Sequence, residues 1–153
     1  MRTTYRTLAY LIAFAVVVQA AGIALAISGL FTWVSKGGAL DAATLESESF
    51  DFPGLIGFII HGMNGMIVIP ALAVVLLVVS FFAKVPRGVM WAAVLLVAIV
   101  VQVLLGIAHV PELALLHGVN ALLVFAVALV AGNAARTVMT RAPEARTSSD
   151  AVT

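Results

Sequence analysis

The chain has 153 residues, of which 63% are hydrophobic and 10% charged. Roughly a quarter of a soluble domain's residues carry charge, so these few cannot clothe a water-facing globule, and a mean hydropathy of +1.19 makes lipid the expected solvent. The lack of cysteine excludes disulfides, thiolate metal sites, iron–sulfur clusters and cysteine nucleophiles, and a net charge of +1 offers no footprint for nucleic acid.

Charged and turn-forming residues divide the sequence into four apolar stretches. The first runs from Leu8 to about Val34. It follows Arg2 and Arg6 as a signal peptide would, but it far exceeds an apolar signal core of about 7–15 residues and reads as a retained helix. An acidic loop, Ser35 to Phe52, follows, with a short helix expected around Ala42 to Glu48. The second stretch runs from Pro53 to Ala83, with a kink expected at Pro70 and one carbonyl freed a turn earlier. Pro86-Arg87-Gly88 makes a tight turn into the third, Gly88 to Val110. Pro111-Glu112 makes a tighter one into the fourth, Leu113 to Ala135. Residues 1–136 thus form one domain. The polar residues Thr137 to Thr153, with Pro143, read as a disordered tail.

Each stretch exceeds the roughly 20 residues that a helix needs to cross the hydrocarbon, and open strands are excluded because lipid cannot satisfy their backbone. Arg2, Arg6, Lys84, Arg87, Arg136, Arg141 and Arg146 all flank what would be one side of the membrane, while the other side holds Lys36 and the acidic residues. The positive-inside rule then places both termini in the cytoplasm. Short connections make neighbours antiparallel, so the expected fold is all-α, an integral membrane up-down-up-down four-helix bundle.

The two halves resemble each other. Val17-Val18-Gln19 with Gly22-Ile23-Ala24 in the first span is echoed by Val101-Gln102 with Gly106-Ile107-Ala108 in the third. His61-Gly62-Met63-Asn64 in the second is echoed by His117-Gly118-Val119-Asn120 in the fourth. This reads as an internal two-helix repeat. Helical rise puts His61 roughly 12 Å, and His117 roughly 7–8 Å, below the outer ends of their helices. The two lie at similar depth on spans that face each other diagonally. Ionisable groups inside a span mark function by default.

Two facing imidazoles suit a haem, one on each face of the iron. Gly57, Gly62 and Gly65 beside His61, and Gly118 beside His117, would leave room for the flat macrocycle, although small residues also serve plain helix packing. Gln19, Gln102, Asn64 and Asn120 are candidates to orient the rings or to meet backbone groups, with Gln102 near the histidine level and Gln19 deeper. His109, at the boundary beside Pro111, suits either interface solvation or the haem propionates. Trp33, Trp91 and Tyr10 read as interfacial or lipid-facing aromatics. Met63 and Met66 read as packing residues and not as ligands. With no cysteine, the haem would be non-covalent haem b, one per chain.

These motifs resemble one half of haem A synthase, whose four-helix halves each carry a histidine on helices two and four. They look closer still to a family of short four-helix membrane proteins common in actinobacteria, with Gln in helices one and three and His near the outer ends of helices two and four. The resemblance covers Tyr5 to about Arg136 and implies haem ligation by His61 and His117. It departs from haem A synthase in having Gly57-Phe58-Ile59-Ile60 where that enzyme carries an acidic residue, and in lacking its second half. An electron-carrying cytochrome b of a bacterial plasma membrane is therefore expected in place of an enzyme, alone or with a redox partner or larger membrane complex. The alternatives from other classes are a haem-free structural or assembly subunit and a haem chaperone or transporter.

Overall fold

The computed structural model describes residues 1–47, 51–108 and 110–150, with backbone alone for residue 45 and residues 137–150. His109 and Glu48 lie outside the described residues. All regular structure among the described residues is helical: α1 (Arg2–Ser35), α2 (Ala42–Glu46), α3 (Leu55–Met63), a π-turn (Asn64–Val68), α4 (Ile69–Ala83), α5 (Gly88–Ile107) and α6 (Pro111–Asp150). Four helical stretches are long and apolar enough to cross a membrane: Arg2–Ser35, Leu55–Ala83, Gly88–Ile107 and Pro111–Arg136. At most 28% of the most apolar window of any of them is buried inside the protein. Most of their apolar surface therefore faces outward, as expected where lipid is the solvent. Helix α6 continues beyond Ala135 to Asp150, and residues 151–153 of the expected tail lie outside the described residues.

The helix ends follow local chemistry. Gly37, at φ 97°, takes the left-handed position that stops α1, and its N–H reaches the Val34 carbonyl at 3.0 Å. Asp41 caps α2 by accepting from the Thr44 N–H at 2.8 Å. Gly54, at φ 103°, precedes α3, and a Cβ there would meet the Leu25 carbonyl at 2.6 Å.

Helix α1 packs on α3, α4 and α6, and α5 packs on α4 and α6, whereas α3 makes at most marginal contact with α5 or α6. Packing is consequently uneven. A continuous core joins Tyr5, Ala9, Ile12 and Ala13 of α1 to Ala73 and Leu76 of α4, Ala92, Leu95 and Ile99 of α5, and Val124, Ala128 and Ala131 of α6. Two hydroxyls tie this half together. Tyr5 donates to the Gly88 carbonyl at 3.0 Å and Tyr10 to Asn133 Oδ1 at 2.8 Å. Tyr10 is thus a link between α1 and α6, and its ring fills the place of a Cβ on Gly132. In the other half α1 and α3 approach until backbone meets backbone. A Cβ on Gly57 would overlap the Gly22 carbonyl and lie 2.8 Å from the Ala26 nitrogen. Small residues permit that approach. Across from it, towards α5 and α6, the bundle is open.

Candidate functional site

His61 and His117 face each other at the boundary between the solid half and the open half. Their ring centroids are 6.1 Å apart and their planes are inclined at 48°. Each ring is held by the preceding long apolar helix: His61 Nδ1 lies 3.2 Å from the Gln19 carbonyl of α1, and His117 Nδ1 lies 3.1 Å from the Gln102 carbonyl of α5. A carbonyl can only accept, so Nδ1 carries the proton in both rings, and in the neutral imidazole Nε2 keeps its lone pair. Among the described residues, neither Nε2 has a hydrogen-bond partner.

Beneath the rings lies a second layer of polar groups. Asn64 Nδ2 donates to the Ala15 carbonyl at 2.8 Å and to Gln19 Oε1 at 3.0 Å. Asn120 Nδ2 donates in the same way to the Ala98 carbonyl and to Gln102 Oε1, both at 2.8 Å. Gln19 Nε2 also donates to the His61 carbonyl at 2.7 Å. Every buried side-chain nitrogen and oxygen among the described residues has a partner, as a low-dielectric interior requires. The network locks α1 to α3 and α5 to α6 at the level where each backbone carbonyl meets its imidazole.

Several expectations change here. Gln19 is not deeper than Gln102, since each touches its histidine. Helical rise misplaced it because α1 overshoots: Pro53, just before α3, lies against Gly29, so depth counted from Ser35 overestimates. The rings are oriented by the backbone carbonyls of the glutamines and not by their side chains, which bind the asparagines. Gly57 borders no open space but packs on Gly22 and Ala26, and the place of a Cβ on Gly65 is taken by the Gln19 amide. Gly57 was expected to make room for a macrocycle and serves helix packing instead, whereas Gly65 also borders the cleft beside His61. Gly62 and Gly118 have nothing within 4 Å of a built Cβ, and Gly106 lies under the His117 ring, with Cε1 3.1 Å from its Cβ position. Gly106 is the site residue that sequence reasoning passed over, although it belongs to the repeated motif. Met63 and Met66 are exposed, and Met66 borders a cleft beside the histidines.

The gap between the histidines opens into three clefts. One of about 210 Å³ lies between α3 and α5 and is bordered by Gly62, Gly65, Val103 and Gly106. A second, of about 400 Å³, lies between α1 and α6 and is bordered by Ala20, Gly118, Ala121 and Phe125. Gln19, His61, Gln102 and His117 border both, so the clefts meet at the histidine pair and form one slot across the bundle. A third, of about 480 Å³, extends from the histidines to Val110, Pro111 and Ala114. Cofactor sites occupy roughly 300–1,000 Å³, with apolar walls and a few convergent polar groups, and the slot has that character. No group of three or more His, Asp or Glu occurs among the described residues, so a metal held by protein side chains alone lacks ligands here. Two imidazoles suffice only for a metal that arrives with other ligands already bound. The chain matches no family model, no curated protein and no solved structure.

Proposed function

We propose that the protein is a four-span membrane cytochrome in which His61 and His117 hold one haem b per chain for electron transfer. The observation that carries the reading is the pair of imidazoles, each with Nδ1 tied to a carbonyl, facing each other across an apolar slot. The ring centroids are 6.1 Å apart, a separation at which both imidazoles could reach a single metal ion about 2.0–2.1 Å from each ring nitrogen. The porphyrin supplies the remaining four nitrogens, which removes the need for a third protein ligand, and the bound group supplies one-electron chemistry at iron.

The chain's own residues do the rest. The Gln19 and Gln102 carbonyls keep both rings in one tautomer and raise the basicity of Nε2. Gly62, Gly106 and Gly118 leave the slot walls low, and Val103, Ala121 and Phe125 keep water out. If His61 and His117 both held the iron, no position would remain there for a substrate, which favours an electron carrier over an enzyme.

The same reading takes the bundle as up-down-up-down in a bacterial plasma membrane, with both termini cytoplasmic and the site near the outer face. The Tyr5–Gly88 and Tyr10–Asn133 contacts and the one-sided basic residues support it. The matching Asn64–Gln19 and Asn120–Gln102 bonds support a duplicated helix pair, and the resemblance to half of haem A synthase points the same way. A reduced-minus-oxidised spectrum with haem stoichiometry on mildly extracted protein tests the function: one low-spin haem per chain is expected. Haem-free protein that ignores added haem would leave a structural or assembly subunit, and rapidly exchanging haem a chaperone.

A further inference from the structure

The slot is closed at one end and open at its sides. Towards the core the space shrinks to about 30 Å³ among Ile69, Ile99 and Val124, and beyond it packing is continuous. A planar ligand cannot arrive from that end. At the sides, the α3/α5 mouth is framed by exposed Gly62, Met66 and Gly106, and the α1/α6 mouth by exposed Ala20, Gly118 and Leu122. None of these six carries a charge or a polar side chain, and Gly62 and Gly118 have nothing within 4 Å of a built Cβ. Both mouths lie towards the outer ends of the spans, but the exposed side chains around them, Ile59, Met63, Leu104, Leu115 and Leu122, are apolar, so they open onto acyl chains and not onto water.

Building on the cytochrome reading, we infer that the slot is loaded sideways from the lipid phase, with Gly62 and Gly118 as its doorposts, and that it takes a flat, largely apolar tetrapyrrole already dissolved in the bilayer. The ligand slides in edge first between α3 and α5 or between α1 and α6. Neither passage requires a helix to unfold or a buried polar group to lose its partner, since the Gln–Asn layer lies beneath the slot.

Two measurements test the route. In the cysteine-free chain, spin labels on Gly62→Cys and Gly118→Cys in haem-free protein in vesicles should collide with oxygen, which concentrates in lipid, and be shielded from a water-soluble nickel chelate. Labels quenched by the nickel chelate would overturn a lipid-facing mouth while leaving the histidine pair untouched. Next, haem is dissolved in phosphatidylcholine vesicles and its capture is followed by the Soret band. The double variant Gly62→Leu/Gly118→Leu should load several-fold more slowly than wild type, with the rate constant normalised to the haem finally bound. Ala114→Leu, which narrows the cleft near Pro111, should load at the wild-type rate. Slowing by Ala114→Leu alone would place the entrance at the helix ends and overturn the inference. Wild-type protein that takes up no haem from lipid or from detergent would overturn the cytochrome reading itself.

Discussion

Ile69 donates its backbone N–H to the carbonyl of Asn64, five residues back, where an α-helix would bond four residues back. Pro70 explains the wider turn. It lacks an N–H and its ring would clash with the carbonyl of Met66 in a regular helix, and the π-turn opens space for it. The extra residue also decides which way His61 faces. The inward positions of α4 are Ile69, Ala73, Leu76, Ser80 and Ala83, and plain α geometry would continue that stripe back through Gly65, Gly62 and Phe58. With the inserted residue it continues through Asn64, His61 and Gly57. Helix α6 needs no such correction, because four residues separate Asn120 from buried Val124.

Pro70→Ala removes the reason for the π-turn. Regular α geometry would rotate α3 by about 100° relative to α4, one residue's worth of turn, and carry His61 and Asn64 off α1. The expected outcome is loss of the low-spin haem spectrum with unchanged helical circular dichroism. Deleting Ile67 in the same variant should restore the spectrum by removing the surplus residue. A Pro70→Ala protein with a normal spectrum, and a deletion that abolishes it, would contradict this account of the turn.

Two glycines beside His61 should respond in opposite ways. Gly57→Ala sets a methyl against the Gly22 carbonyl and the Ala26 nitrogen, backbone atoms that can move only if α1 and α3 separate, and overpacking of this kind costs about 1–3 kcal/mol. Gly62→Ala meets nothing and should leave stability unchanged or slightly improved. Thermal unfolding of the two variants in detergent, side by side, checks the difference.

Asn120→Leu removes the donor shared by the Ala98 carbonyl and Gln102 Oε1. Interhelical hydrogen bonds in membrane proteins average about 0.6 kcal/mol and reach about 1.7, so a loss of about 1 kcal/mol is expected in detergent unfolding. The clearer effect is on His117. With α5 and α6 free to slip, the Gln102 carbonyl no longer fixes the ring, and the g-value spread of the low-spin haem should broaden. A sharp, unshifted spectrum would mean that Asn120 has no part in orienting the ring.

Much of this arrangement was legible in the sequence. Four apolar runs, the paired His-Gly-x-Asn motifs and the glutamines on the intervening helices identify the residues that the fold brings together, because hydropathy and helical spacing are local properties. The register between helices was not legible. Gln19 appeared too deep because nothing in the sequence reveals that α1 extends past the start of α3. Gly57 and Gly65 look alike as small residues, and only the approach of α1 decides that one accommodates backbone and the other the Gln19 amide. Spacing did carry one unused signal. The interval from Gln19 to Gly22 is one residue shorter than that from Gln102 to Gly106, and accordingly a Cβ on Gly22 would meet the Gly57 carbonyl at 3.1 Å while one on Gly106 would meet the His117 ring.

Asp41 offers a test outside the membrane-spanning helices. Its carboxylate accepts from Thr44 at the start of α2, and these hydrogen bonds hold its pKa below the ordinary aspartate value. A lowered folded-state pKa means that the cap's contribution is fully present above the unfolded value, about 3.9, and is lost as pH falls through the folded value. Amide exchange in Ala42–Glu46 should therefore accelerate, relative to its intrinsic rate, only below about pH 4. Asp41→Asn, still a good cap, should remove that pH dependence; identical profiles would show that the carboxylate is not the titrating group.

The most direct test of the central claim is the low-temperature electron paramagnetic resonance spectrum of haem-loaded wild-type protein beside His61→Ala, His117→Ala and His109→Ala. The account predicts a low-spin signal in the wild type and in His109→Ala, and high-spin or haem-free protein in the other two. A low-spin signal that survives His61→Ala or His117→Ala but disappears in His109→Ala would contradict it.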